Sequence, residues 1–214
     1  MARHTLDDFV PTTAKKDRGQ GFFELESDHL LAMNLDGLVW TKRGSMVAYQ
    51  GEITFTREGI LEHGLGRMLK KAFTREGTWL TKAEGYGRLY LADCGKKVSI
   101  LNLNSQSIYV DGNDLLAFQP GIAWDIKPMR RGMAMLAGGP VKIRLEGTGL
   151  IAITTHCDPL TLRVTPNNPV MTDPHATVAW SGTLQSELRT DGSLKTSFSL
   201  GSGESTQMLF RGDG

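Results

Sequence analysis

Alternation of apolar and polar residues is the dominant pattern along the chain, and it predicts β-strands. The clearest stretch is Val141–Glu146, where apolar and charged residues take strict turns. This period of two places Val141, Ile143 and Leu145 on one face and the charged side chains on the water-facing side. Similar stretches recur at the short, regular spacing that is typical of an all-β sandwich or barrel.

Two glycine pairs interrupt the predicted strands. Gly85-Tyr86-Gly87 separates Thr78–Glu84 from Leu89–Leu91, and Gly147-Thr148-Gly149 stands in the same place before Leu150–Ile153. We predict a hairpin turn at each pair because glycine tolerates positive φ. Glu84 and Glu146, which precede the pairs, are then expected to face water rather than to form a catalytic carboxylate pair.

The strand that follows each glycine pair is expected to be succeeded by another strand and a turn. We predict strands at Val98–Leu101 and Leu160–Arg163, with turn-forming residues at Ser105-Gln106 and Asn167-Asn168. Asp111 and Asp173 each begin a further turn, in which the carboxylate accepts a hydrogen bond from the backbone two residues on.

A short motif occurs three times, and it consists of an apolar residue, an alanine and an aromatic residue followed closely by glycine. The copies are Val47-Ala48-Tyr49, Leu116-Ala117-Phe118 and Val178-Ala179-Trp180, so their alanines recur at similar intervals. Self-similarity of this kind indicates one supersecondary unit used repeatedly. We therefore predict a single compact β unit over residues 21–214, built from three repeats (about 21–63, 78–130 and 141–190) plus a C-terminal strand segment, 194–212.

Three segments depart from the strand pattern. Residues 1–20 are predicted to form a flexible, charged leader. Residues 64–73 show apolar positions at i, i+3 and i+4, which predicts one short helix with its basic residues on the other face. A weaker helical pattern occupies Leu194–Leu200, before a last strand at Thr206–Phe210.

The balance of charge argues against several classes of partner. Lys and Arg total 24 and Asp and Glu total 23, giving a net charge of +1. Nucleic-acid binders usually carry a clear basic excess. Runs free of charged residues are too short and too polar to span a bilayer. A membrane-surface role is not favoured either, because the basic face of the predicted 64–73 helix is expected to be solvated. The polar N-terminus and the two cysteines, Cys94 and Cys157, suggest free thiols in the cytoplasm.

Four stretches resemble the altered-inheritance-of-mitochondria family, specifically its twenty-fourth named member and the bacterial branch. These stretches are Trp40–Tyr49, Glu84–Leu91, Val178–Gly182 and Gly201–Met208. The resemblance implies repeated short double-stranded β-helix units, similar to the tryptophan RNA-binding attenuator protein, and a link to mitochondrial biogenesis. It supplies no catalytic motif. Family members commonly continue past the glycine after Phe210, so we expect an open strand edge near this end of the chain.

Metal binding is the first alternative, because double-stranded β-helix folds include metal-dependent cupins. The best cluster of ligand-type residues is His156, Asp158, Asp173 and His175, with Cys157 beside it. Cupin sites use two histidines at one-residue spacing, and every histidine here is single. We therefore expect no metal, no cofactor and no catalytic residue. Cys94 is followed by two lysines that would favour a thiolate, but a structural thiol is the preferred interpretation.

RNA binding is the second alternative, and it follows from the attenuator-like fold. Single-stranded RNA recognition requires stacking aromatic residues among basic ones. Lys127, Arg130 and Arg131 lie near Trp124, and Lys42-Arg43 lies near Trp40. Trp124, however, alternates with Ile122 and Ile126 as a core residue does. The favoured hypothesis is a non-enzymatic cytoplasmic protein that acts as a homo-oligomer or binds a protein partner.

Overall fold

The computed structural model describes residues 5–15, 21–57, 80–127, 142–190 and 206–214. Within these ranges the chain forms one helix and twelve strands. Their bounds are α1 Leu6–Thr13, β1 Phe23–Ser27, β2 Leu30–Lys42, β3 Met46–Arg57, β4 Leu80–Leu91, β5 Lys97–Asp111, β6 Leu115–Phe118, β7 Ala123–Lys127, β8 Lys142–Thr155, β9 Val170–Thr172, β10 Ala179–Ser181, β11 Gln185–Thr190 and β12 Thr206–Arg211. The helices predicted over 64–73 and 194–200 lie outside the described residues.

The all-β prediction is confirmed, and antiparallel sheets form a sandwich. Among the described residues, nine strands belong to one sheet with the order β10-β5-β8-β6-β2-β4-β3, while β1 pairs with β2 and β7 with β8. A second sheet has the order β11-β12-β9. The last strand, β12, is therefore central in its sheet. The strands at the ends of the two orders are β10, β3, β11 and β9.

The leader contains a helix that the sequence analysis did not predict. Thr5 caps α1, because its hydroxyl accepts a hydrogen bond from the backbone amide of Asp8 at 3.2 Å. Asp7 and Asp8 in the first turn complement the positive end of the helix dipole. No residue of α1 is buried, so local capping rather than core packing accounts for this helix.

The predicted hairpin turns at the two glycine pairs are wrong. Gly85 and Gly87 lie inside the continuous strand β4, and Gly147 and Gly149 lie inside β8. Their φ angles are positive, at 139° and 148° in the first pair. A Cβ atom on Gly85 would lie 1.9 Å from the carbonyl oxygen of Glu52 on β3. Glycine is thus needed here because two backbones approach closely, and not because the chain reverses direction.

The strands that pass these glycines bend sharply. The rings of Tyr49 and Phe55, both on β3, meet edge-on with their centroids 5.6 Å apart. A straight strand would separate these residues by about 20 Å. Gly51 lies between them at φ 106° and pairs with Gly87, and Gly37 on β2 pairs with Gly85. Aligned glycines on three neighbouring strands therefore allow the strands to bend together.

The register of the sheet relates two copies of the short motif. β3 carries a bulge at Val47 where it pairs with β4, and β6 carries one at Leu116 where it pairs with β8. Ala48 pairs with Tyr90, and Ala117 pairs with Ala152. The alanine of each copy therefore follows the bulge directly. The division of the chain into three repeats stays a prediction, and it accounts for this shared irregularity.

The predicted turns after β5 and β9 are confirmed at the atomic level. The carboxylate of Asp111 accepts a hydrogen bond from the amide of Asn113, and that of Asp173 accepts one from the amide of His175, both at 2.8 Å. The predicted strand at Leu160–Arg163 is wrong, because this stretch belongs to no strand and its leucines are exposed. Ser105 lies at a bulge within β5 rather than at a turn.

Candidate functional site

The candidate metal ligands do not come together. No group of three or more His, Cys, Asp or Glu residues in the described part of the chain is arranged to hold a metal ion. Asp158 forms an ion pair with a lysine of β5. Asp173 bonds the backbone of His175 in its own turn, and His156 and Cys157 are exposed. The cluster proposed for a cupin-like enzyme is therefore not assembled.

The lysines next to Cys94 are engaged elsewhere. The amine of Lys96 lies 2.8 Å from a carboxylate oxygen of Asp114, and that of Lys97 pairs with Asp158. Cys94 itself is an exposed free thiol, as is the second cysteine. Both lysines are therefore paired with carboxylates.

No helix in the described ranges has the length and apolarity that crossing a bilayer requires.

The tryptophans considered for RNA stacking are packed against other side chains. Trp40 is 7% exposed, and its ring stacks on Phe118 while the edge of Trp124 meets it at 5.5 Å. The amine of Lys82 lies 5.0 Å from the centroid of the Trp40 ring. Trp124 packs against the core with Ile122, as its alternation predicts. Trp40 is therefore buried in these contacts, and Trp124 is half-buried.

The second copy of the motif is covered by a strand from the preceding predicted repeat. Trp40 on β2 pairs with Phe118 on β6, and Thr41 pairs with Ala117. The Trp40 and Phe118 rings are nearly parallel, with centroids 6.0 Å apart and planes 14° apart. Phe118 and Ala117 are fully buried. We call this pairing of β2 with β6 the first junction.

The third copy is covered in the same way by β5, and we call this pairing the second junction. Tyr109 pairs with Trp180 and Val110 pairs with Ala179, with the two rings stacked 5.4 Å apart. Each junction thus pairs the motif aromatic with an aromatic residue of the covering strand. The motif alanine pairs with the residue that follows this covering aromatic, Thr41 in one case and Val110 in the other. An aromatic stack therefore occupies the equivalent position at both junctions.

A buried ion pair supports the second junction, and it corrects an expectation from the sequence. Alternation places Lys142 on the water-facing side, yet this residue is 2% exposed. Its amine lies 2.6 Å from the carboxylate of Asp111 and 5.5 Å from the centroid of the Trp180 ring. Asp111 and Trp180 cover the face of β8 that would otherwise be solvated.

A larger ionic network supports the first junction. The amine of Lys42, at the end of β2, lies 2.8 Å from both carboxylate oxygens of Asp93 and 2.6 Å from the carbonyl oxygen of Asn113. The hydroxyl of Thr154, on β8, donates a hydrogen bond to Asp93 at 2.8 Å. The network therefore links the two sides of the junction through buried and half-buried groups.

Titration of this network follows from its geometry. Burial opposes the charged form of Asp93, but hydrogen bonds from Lys42 and Thr154 and the charge of Lys96 outweigh burial, so the pKa of Asp93 lies below its ordinary value. Burial likewise opposes the charged form of Lys96, but Asp114 and Asp93 raise the pKa of Lys96 above its ordinary value. Asp93 and Lys96 are thus charged at neutral pH, as a structural network requires.

The first copy of the motif has no such aromatic stack across a described strand pair. It lies on β3, one of the two terminal strands of the nine-stranded order, where Tyr49 pairs with Leu89 of β4 rather than with an aromatic residue. The third copy lies on the other terminal strand, β10, where Trp180 stacks on Tyr109 of β5. Val47 is 57% exposed and Tyr49 45% exposed, and Met46 and Ala48 are exposed as well. The stretch Met46–Gly51 contains no charged residue and no proline. Charges and prolines normally protect a free strand edge from pairing with another chain.

A second edge without a described neighbour belongs to β9. This strand pairs with β12 on one side and is terminal in its sheet. Met171 at its centre is 51% exposed. β3 and β9 are not paired with each other in the described structure. The candidate functional site is therefore a pair of strand edges. The sequence signal for it was the motif itself, whose three copies differ in whether the aromatic residue stacks on an aromatic residue of a paired strand.

Comparisons with known proteins agree with this fold. The family model described as Mitochondrial biogenesis AIM24 matches residues 23–214. The crystal structure of protein SPYM3_0169 from Streptococcus pyogenes is similar with a TM-score of 0.68 at 21% sequence identity, over 89% of this chain and 88% of that chain. At this identity the likeness concerns the fold alone. The chain has no significant match among curated proteins.

Proposed function

We propose that this chain, which belongs to the Mitochondrial biogenesis AIM24 family, is a non-enzymatic protein that acts by self-assembly through the edge of β3 that no described strand occupies. The family is not known as an enzyme family. The observation that carries the proposal is the exposure of Val47 and Tyr49, while the motif aromatics of the two other copies, Phe118 and Trp180, stack on an aromatic residue of a paired strand.

Physical chemistry favours this use of the edge. A terminal strand presents unpaired amide and carbonyl groups, and a second strand that pairs with them gains backbone hydrogen bonds and buries apolar side chains. The net charge of +1 opposes association of identical chains very little. We place this assembly in the cytoplasm, where the exposed thiols of Cys94 and Cys157 would stay reduced.

A charge placed on the edge tests the proposal. We expect Val47→Lys to shift the protein from an oligomer to a species of about the monomer mass, 23.5 kDa, because a lysine on an edge strand must be desolvated when a second strand docks. Light scattering coupled to size-exclusion chromatography measures the mass. Tyr86→Lys is the matched control, since Tyr86 is exposed on β4 away from the free edge. An unchanged mass for Val47→Lys would contradict the proposal.

A further inference from the structure

We infer that the strand that covers the β3 edge is β9 of a second copy of this chain, docked antiparallel with Tyr49 opposite Met171. This inference rests on the proposed function and makes it specific. In the described structure both strands are terminal in their sheets, both carry an exposed large apolar side chain, and they do not pair with each other.

The register follows from the two junctions inside the chain. At the first junction Trp40 faces Phe118, and at the second Tyr109 faces Trp180. The step along the sequence from Trp40 to Tyr109 equals the step between the first two motif alanines, Ala48 and Ala117.

The next step in this series identifies the third covering residue. Tyr109 and Met171 are separated by the same number of residues as the second and third motif alanines, Ala117 and Ala179. The aromatic residue of the motif that still needs cover is Tyr49. Continuing the series therefore pairs Tyr49 with Met171, Ala48 with Thr172 and Gln50 with Val170.

Side-chain chemistry fits this register. A stacked aromatic pair lies at each internal junction. A tyrosine ring against a methionine thioether is also a favourable contact. Tyr49 is 45% exposed and Met171 51% exposed, so each has a large apolar surface to bury. Neither Met46–Gly51 nor β9 contains a charged residue that docking would desolvate.

The length of the proposed pairing matches the internal junctions. The first junction aligns two residue pairs and the second aligns three. β9 has three residues, and Pro169 precedes it. Proline has no amide hydrogen to donate, so it ends the ladder on that side. In this fold, short strand pairings supported by side-chain stacking therefore join the predicted repeats.

The symmetry of the assembly follows from the strands involved. Each copy offers β3 as the acceptor edge and β9 as the donor edge. Two copies satisfy both edges in a two-fold dimer when β3 of each pairs with β9 of the other. If the contact is not reciprocal, it runs head-to-tail and forms a larger closed ring or an open filament.

Disulfide trapping tests the register. In a Cys94→Ser/Cys157→Ser background, Tyr49→Cys and Met171→Cys are made singly and mixed under mild oxidation. We expect covalent dimers in the mixture, and far fewer in either variant alone. Ala48→Cys mixed with Thr172→Cys repeats the experiment with the Tyr49 ring intact. Glu52→Cys mixed with Met171→Cys is the off-register control, in which we expect at least tenfold less dimer.

Each other result overturns the inference in a recognisable way. Dimers of Tyr49→Cys alone would indicate β3–β3 pairing, and an intramolecular disulfide in the Tyr49→Cys/Met171→Cys chain would indicate that the chain closes on itself. Absence of trapping from both mixtures, with oligomers present by light scattering, would place the contact on another surface and leave self-assembly standing. A monomer by light scattering at all concentrations would overturn the proposed function as well.

Discussion

The amine of Lys142 lies 2.6 Å from the carboxylate of Asp111, and the two side chains are 3% and 8% exposed. The pair joins the start of β8 to the end of β5, so its partners are distant in sequence. A buried ion pair is weak evidence for stability in itself, because both charges lose their hydration. Removing one partner, however, leaves a buried charge without its counterion.

Lys142→Met is expected to lower the free energy of unfolding by about 3–5 kcal/mol, because Asp111 then stays buried without a cation. Urea unfolding followed by circular dichroism measures the change. The control is Arg163→Met, which breaks an ion pair whose partners, Arg163 and Asp213, are 70% and 66% exposed. We expect that control to cost less than about 1 kcal/mol. Equal destabilisation in the two variants would contradict the account.

Gly85→Ala is expected to destabilise the protein more than Gly37→Ala, although these glycines face each other in paired strands. Both have positive φ, so each substitution places alanine in an unfavourable conformation at a cost of about 1–2 kcal/mol. At Gly37 the added Cβ meets nothing within 4 Å, whereas at Gly85 it collides with the carbonyl of Glu52. Overpacking adds about 1–3 kcal/mol. Chemical unfolding of both variants decides the order.

If the two glycine variants were equally stable, the close approach of β3 and β4 would not be the reason for glycine at position 85. The bend at this place would then depend on φ alone. The Gly37 variant thus separates the conformational requirement from the steric one within a single pair of facing residues.

Asp93→Asn is expected to remove a contribution to the free energy of unfolding that is present at neutral pH and disappears in acid. The pKa of Asp93 is lower in the folded protein than its ordinary value of 3.8. Its ionised form therefore stabilises the fold above pH 3.8, and this stabilisation is lost as the pH falls through the folded-state pKa. The difference in unfolding free energy between the parent chain and Asp93→Asn should be constant near neutrality and shrink below pH 3.8. A difference that stays constant into this acid range would contradict the assignment.

Local features were predictable from the sequence. Asp111 and Asp173 act on backbone amides close to themselves in the chain, so the rule for aspartate in turns is sufficient. The exposure of Glu84 and Glu146 was predicted correctly too, although both lie within strands rather than beside turns. The all-β class followed from alternation, which is a local property of each strand.

Features that depend on distant partners were not predictable. A glycine with positive φ suits a hairpin turn or a bend against another backbone, and only the position of Glu52 distinguishes these at Gly85. The alternation pattern predicts that Lys142 is solvated, whereas in the structure Asp111 and Trp180 cover it. The candidate site also depends on distant partners, because the three motif copies pair with different strands and differ in whether their aromatic residue is stacked.

Hydrogen–deuterium exchange of the backbone amides in Met46–Gln50, measured at low and high protein concentration, tests the central claim most directly. We expect exchange in this stretch to slow as concentration rises, because a second copy pairs with the β3 edge that no described strand occupies. Leu89–Leu91 on β4, already paired on both sides, should exchange at one slow rate throughout. An exchange rate in Met46–Gln50 that does not change with concentration would contradict assembly through β3.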